Sequence, residues 1–412
     1  MTAPTSSSGQ YQPDSHYAWW RLGASVALST IGGVGLWSVV VVLPSVQAEF
    51  GLGRGDASFS YTATMIGFAI GSLVMGRLAD RFGVMVPIRL GAVMLGIGYV
   101  AAAGATSYWQ FILAQTLLVG MLGSSATFGA LIADVSHWFV RRRGIAVAII
   151  ASGNYLAGMV WPPVLNYAIE NFGWRASHVG VGIFCVATML PLVYTLRRRP
   201  DFSDSDETAA EQPLSISMPG SPAFRQTLLV IAAVACCVAM SMPQVHIVSY
   251  CSDLGYGPAR GAEMLSLMLG LGIVSRLASG LIADRIGGVG TLILGSTLQC
   301  IALLFYLPFD GLTSLYVVSA LFGLAQGGIV PSYALIVREY FPAREAGARV
   351  SLVLMATVLG MALGGWLSGV IFDVTGSYRA AFLHGIAWNL VNMAIALWFV
   401  LGRLQHRARL AQ

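Results

Sequence analysis

Apolar residues run through this chain in stretches of about twenty, parted by short clusters of charged, glycine and proline residues. A hydrocarbon core roughly 30 Å thick takes about 20 residues of helix, so this spacing predicts membrane-spanning helices. Twelve segments can be placed, beginning near Gly23, Ser58, Met85, Trp109, Gly144, Ala176, Gln226, Gly261, Gly290, Thr313, Ala346 and Ala380. The longest polar interruption, Arg197 to Phe224, contains RRRPDFSDSDETAAEQP and reads as a solvated linker dividing six helices from six. The expected layout is a tail at 1–20, a six-helix bundle at 21–196, the linker at 197–224, a second six-helix bundle at 225–403 and a tail at 404–412.

Composition strengthens this reading. The chain is 56% hydrophobic and 10% charged with a mean hydropathy of +0.73, which makes lipid its main solvent. Its five cysteines, Cys185, Cys236, Cys237, Cys251 and Cys300, lie in or at the ends of apolar runs without metal-ligand or disulfide-framework spacing, and read as small packing residues. No basic stretch followed by an apolar run and a small-residue cleavage site opens the chain, so the first spanning helix is expected to be its own targeting signal. The net charge of +5 does not point to nucleic acid, because the basic residues sit in short loops between apolar runs.

Those loops set an orientation. All 23 basic residues are arginine. With the N-terminus in the cytoplasm, 18 arginines face inward and four, Arg54, Arg175, Arg260 and Arg379, face outward, leaving Arg276 inside the membrane. The expected protein is multi-pass in the cell inner membrane with both termini cytoplasmic.

The halves also repeat. GRLADRFG at Gly76 to Gly83 ends the second segment and GLIADRIG at Gly280 to Gly287 ends the eighth, an offset of 204 residues. WF at Trp138 and Phe139 is echoed by YF at Tyr340 and Phe341, and FGWR ending at Arg175 by GSYR ending at Arg379. An Asp in such a loop can cap the N-terminus of a neighbouring helix, and the glycines let helices approach closely.

On these residues the sequence resembles the major facilitator superfamily, whose signature G-x-L-A-D-R-x-G is met at Gly76, Leu78, Ala79, Asp80, Arg81 and Gly83. The resemblance implies an all-α membrane protein of twelve helices in two pseudo-symmetric six-helix bundles, with a substrate cavity between them near mid-membrane. It implies a cytoplasmic gate at Asp80, Arg81, Asp284 and Arg285, with Asp134 and Glu339, at the ends of helices four and ten, as arginine partners. Within the superfamily, WFVRRRGIAVAIIASG (138–153) and GIVSRLASGLIADRIG (272–287) look like the monocarboxylate-porter and oxalate:formate-antiporter branch, in which a mid-helix arginine meets a substrate carboxylate. This chain departs from that branch in having no acidic residue in GGVGLWS (32–38), Gly272 where an Asp is common, and no lysine in helix eleven. Capture of one carboxylate fits these departures better than a dicarboxylate clamp.

Arg276 lies eight residues before Asp284, roughly 12 Å along the helix and close to mid-core, where a charge costs on the order of 3 kcal/mol. The repeat places Ser72 at the equivalent position, so the shared packing does not require an arginine there. A guanidinium stays charged and presents a donor fork that matches a carboxylate, which assigns Arg276 to anion binding and not to proton transfer. No Asp or Glu falls at mid-span, so a coupling proton would need His246, whose ordinary titration range is suitable, although a lone histidine is more often a satisfied structural residue. Further polar candidates for the cavity are Tyr61, Gln115, Asn154, Tyr155, Gln244, Tyr250, Gln326 and Tyr333, with Trp37 beside them; Trp161, Pro162 and Pro163 are expected to kink the fifth helix.

The function expected is secondary active transport of a small organic anion, probed first as a monocarboxylate, by symport or exchange and without a cofactor. The alternative is export of drug-like neutral or cationic molecules, but GNYLAGMVWPPVLN lacks the glycine-proline pattern of such exporters. An enzyme is not expected, since H-E-x-x-H, G-x-S-x-G and Walker loops are all absent.

Overall fold

The computed structural model describes residues 14–139, 141–197 and 221–410; residues 198–220, the bulk of the expected linker, lie outside the described residues, as does most of the first tail. Every regular element among the described residues is helical. The spans are α1 (His16–Phe50), α2 (Arg54–Phe82), α3 (Met85–Ala103), α4 (Tyr108–Trp138), α5 (Gly144–Phe172), α6 (Trp174–Leu196) and α7 (Pro222–Asp253). The 48-residue stretch Pro258–Phe305 follows. It turns at Gly287 (φ 78°), which divides it into α8 (258–286) and α9 (288–305). Then come α10 (Leu312–Tyr340), α11 (Glu345–Thr375) and α12 (Tyr378–Gly402), making twelve spans. The last helix continues to Leu410, through most of the stretch expected as a tail.

The turn at Gly287 shows why the repeated motif ends in glycine. Gly83, its repeat equivalent, has the same left-handed backbone (φ 86°), a region that a side chain disfavours. All five cysteines are buried and free, as packing residues should be.

Four spans are interrupted. Helix α1 breaks at Gly33, α4 passes through a wide turn and a tight turn between Ala114 and Phe128, α5 breaks at Ser152, and α10 breaks at Gly327 and Gly328. Pro162 and Pro163 sit inside an unbroken helix, so the interruption of α5 comes a few turns earlier than the prolines suggest. The breaks in α4 and α10 are repeat equivalents, offset by the same 204 residues. Irregular backbone at membrane depth frees carbonyls, and they need partners inside the protein.

The halves meet along α2 with α11, α5 with α8, and α1 with α7. Hydrogen bonds between them cluster from mid-span to the end remote from the arginine-rich loops: Thr62 to the Ala362 carbonyl (2.6 Å), Ser266 to the Met159 carbonyl, and an ion pair between Arg54 and Asp253. At the arginine-rich end Asp80, Arg81, Asp284 and Arg285 are exposed. The links between halves close the molecule at the end remote from the arginine-rich loops.

Candidate functional site

Arg276 stands where α8 crosses both α5 of the other half and the break in α10. Its Nη1 donates to the Ala151 carbonyl at 2.7 Å and its Nε to the Gly327 carbonyl at 3.3 Å. Each acceptor lies at a helix interruption, where the regular ladder no longer claims it. The guanidinium carbon sits 4.3 Å from the centre of the Tyr155 ring, a cation–π contact worth about 0.5–2 kcal/mol. The side chain remains partly exposed, and the hydrogen bonds just named leave Nη2 free for another acceptor.

Gly272 explains the missing acidic residue. A Cβ there would come within 2.5 Å of the Tyr155 ring, so the aromatic face and an Asp at position 272 exclude each other. In this protein Tyr155 supplies what lies beside the arginine. Gln326, adjoining Gly272, accepts from the Gln244 amide at 2.5 Å and links α10 to α7. Trp37 donates from its indole to the Asn154 carbonyl at 3.1 Å, while Asn154 Oδ1 is buried without a partner. Arg276 and Tyr155, with Gln326 and its partner Gln244, thus form a polar and aromatic centre contributed by both halves, while the Asn154 side chain lies by Gly33 of α1, next to Trp37.

The remaining sequence candidates fall elsewhere. His246 is fully buried, with Nε2 2.7 Å from the Gly365 carbonyl and Nδ1 3.2 Å from the Tyr378 hydroxyl. Both ring nitrogens are engaged. Tyr61 packs on the other side of Gly365 with its hydroxyl buried and unpaired, and Tyr250 lies edge-on to Tyr378. Tyr61 and His246 belong to the closed contact of α2, α7 and α11, whereas Tyr250 packs on Tyr378 and Phe382 of α12 within the second half. Gln115 sits inside the first half, 3.4 Å from His178, and Tyr333 inside the second, donating to Asn392 at 2.7 Å.

At the arginine-rich end, Asp80 and Asp134 line one pocket of about 420 Å³ between α1, α2, α4 and α6. The arginine that holds Asp134 is Arg21 of α1, through a two-point pair at 2.8 and 2.9 Å, and not a motif arginine. Glu339 has no arginine: it accepts from the Gly288 amide at 2.7 Å and so caps α9, where the first-turn amides need an acceptor.

Sequence reasoning missed the residues of the closed end. Arg54 Nη2 reaches both oxygens of Asp253 at 2.9 and 3.0 Å, and Asp373 accepts the amides of Arg54 and Gly55, each at 2.7 Å. The available signal was the scarcity of outward arginines, one of which stands between two glycines in GLGRGD.

The chain matches the profile of the Major Facilitator Superfamily over residues 26–315 and 273–411. It is 27% identical over 352 residues to rat "Monocarboxylate transporter 13", covering 83% of this chain and 78% of that protein. It is also 23% identical over 334 residues to "Agnestins efflux protein AgnL12" of Paecilomyces divaricatus, covering 79% of this chain and 74% of that one. Among solved structures, a bacterial homolog to the human lysosomal transporter Spinster, inward-facing and occupied, superposes with a TM-score of 0.66 at 15% identity, covering 96% of this chain and 97% of that one.

Proposed function

Because the chain belongs to the major facilitator superfamily, and is therefore a multi-pass membrane transporter of small molecules and not an enzyme, we infer that it carries a small organic anion, a monocarboxylate, by alternating access. The observation that carries this reading is Arg276. A permanent cation at mid-span is retained only where it has work, and its present acceptors are neutral carbonyls. A carboxylate replacing the Ala151 carbonyl would exchange a neutral acceptor for a charged one, a bond roughly twice as strong. Tyr155 and Trp37 would cover the carbon skeleton.

Asp80, Arg81, Asp284 and Arg285 are the gate of the open end, which the arginine loops place in the cytoplasm. In the opposite state they close on the facing half. The membrane is the cell inner membrane, and the driving force is a solute or proton gradient used by symport or exchange.

A second reading, export of a larger neutral or cationic molecule, is favoured by the similarity to a fungal efflux protein. Uptake of labelled lactate, pyruvate, oxalate and an aromatic acid into proteoliposomes, with wild type or Arg276→Ala and with or without a pH gradient, separates the two. Saturable uptake lost in the variant supports the anion carrier, and its response to the gradient identifies symport. If no carboxylate moves, or the variant transports normally, the anion reading fails and the exporter reading takes its place.

A further inference from the structure

We propose that Arg54, Asp253 and Asp373 form a latch that holds the outer ends of the two halves together and thereby sets which end of the carrier is open. The latch is independent of what is carried.

Every link in it crosses between halves. Arg54, 7% exposed, begins α2 in the first half; Asp253 ends α7 and Asp373 nears the end of α11, both in the second. The Arg54 guanidinium joins α2 to α7 through both Asp253 oxygens and lies 5.1 and 5.9 Å from the rings of Phe372 and Tyr378. The Asp373 carboxylate spans the first two amides of α2, where orphan donors and the helix dipole favour an anion. Glycine permits this approach: a Cβ on Gly369 would sit 2.9 Å from the Gly55 Cα. Arg54 Nε is already buried without a partner, so the guanidinium depends heavily on Asp253.

The latch is built to release. Asp253 is about one-third exposed and lines a vestibule of about 370 Å³ together with Arg54, Gln47 and Ser252. Water entering there can take over each donor as the ends part, which lowers the cost of opening. The latch joins the halves at their outer ends, so its loss removes stabilisation from the outer-closed state and shifts the balance toward outer opening.

Ser58 is the reporter. It lies one turn below Arg54, fully buried, with its hydroxyl on the Arg54 carbonyl at 2.8 Å and Gly369 directly against it. Ser58→Cys in purified protein is treated with a bulky sulfonated maleimide, with the buried native cysteines measured in the parent as background. The parent reporter reacts slowly, and adding Arg54→Gln, Asp253→Asn or Asp373→Asn raises the rate at least tenfold. Glu49→Gln, which breaks an ion pair confined to the first half, leaves the rate unchanged, so general loosening is distinguished from latch release. Exchanging the pair, Arg54→Asp with Asp253→Arg, returns the rate toward the parent value. If Arg54→Gln fails to accumulate, the two Asn variants carry the test. Rates within twofold of the parent in variants that keep their melting temperature, or an exchanged pair as reactive as the single variants, would overturn the latch.

Discussion

Glu49 and Asp253 occupy the same position of the repeat, 204 residues apart, each an acid at the end of the first helix of its half that lies away from the arginine-rich loops. Glu49 is taken by its own half: Arg175 of α6 holds it at 2.5 Å, and both side chains are 38% exposed. Asp253 is taken by Arg54 of the opposite half, whose side chain is 9% exposed. One pair braces a bundle, and the other links the two bundles. A second equivalent pair differs in the same way. Ser72 on α2 satisfies its hydroxyl on the Phe68 carbonyl of its own helix, whereas Arg276 on α8 reaches the other half. The repeat supplies a common scaffold, and equivalent positions differ in whether their partner lies in the same half or the other one, where a conformational change can act on it.

The largest effect expected from breaking this asymmetry is at Arg276. Arg276→Ala lowers kcat/KM for carboxylate uptake by at least 100-fold, since truncating one partner of a desolvated charged pair costs about 2–5 kcal/mol. Arg276→Lys retains the charge but loses the fork and the ring stacking, and falls at least tenfold in the same assay. Next comes Gly272→Ala, which drives a methyl into the Tyr155 ring; uptake falls about tenfold, and melting shows a destabilisation of roughly 1–3 kcal/mol from overpacking. Smaller again is the contrast between the acids. Asp253→Asn alters the accessibility of the outer end, while Glu49→Gln costs at most about 1 kcal/mol in unfolding and leaves uptake unchanged, as an exposed pair should. The smallest is Ser72→Ala, expected within about 0.5 kcal/mol of wild type in stability and equal to it in uptake. A Ser72→Ala variant without transport would place α2 in the substrate path and remove the contrast with α8.

Much of the fold was legible because lipid imposes a local rule: each span must be long and apolar, and each turn must be polar or glycine-rich. Gly83 and Gly287 announce the turns that their positive φ values confirm. The candidate centre was legible in part. Arg276 stood out by cost, and in the structure Tyr155 lies against it with Gln326 and Gln244 close by, while the Asn154 side chain lies by Gly33 of α1. Tyr61 and His246 satisfy the same depth criterion yet serve the closed contact, and Tyr250 packs on α12, because depth along a helix says nothing about which face meets which neighbour. Glu339 was expected beside an arginine and instead caps α9 through Gly288, since a carboxylate finds an equally good partner in a helix N-terminus.

The sequence by itself determined the solvent, the twelve spans and the single cation at mid-span, which follow from the cost of placing each residue in hydrocarbon, and the twofold repeat, which follows from the recurrence of one motif 204 residues on. Tertiary structure alone decided who answers each charge. Glu49 and Asp253 carry the same charge at the same place in the repeat, and only the crossing of α2 over α7 and α11 makes one of them a link between halves. Burial cost belongs to the residue, whereas an electrostatic partner belongs to the helix that happens to lie within about 3 Å.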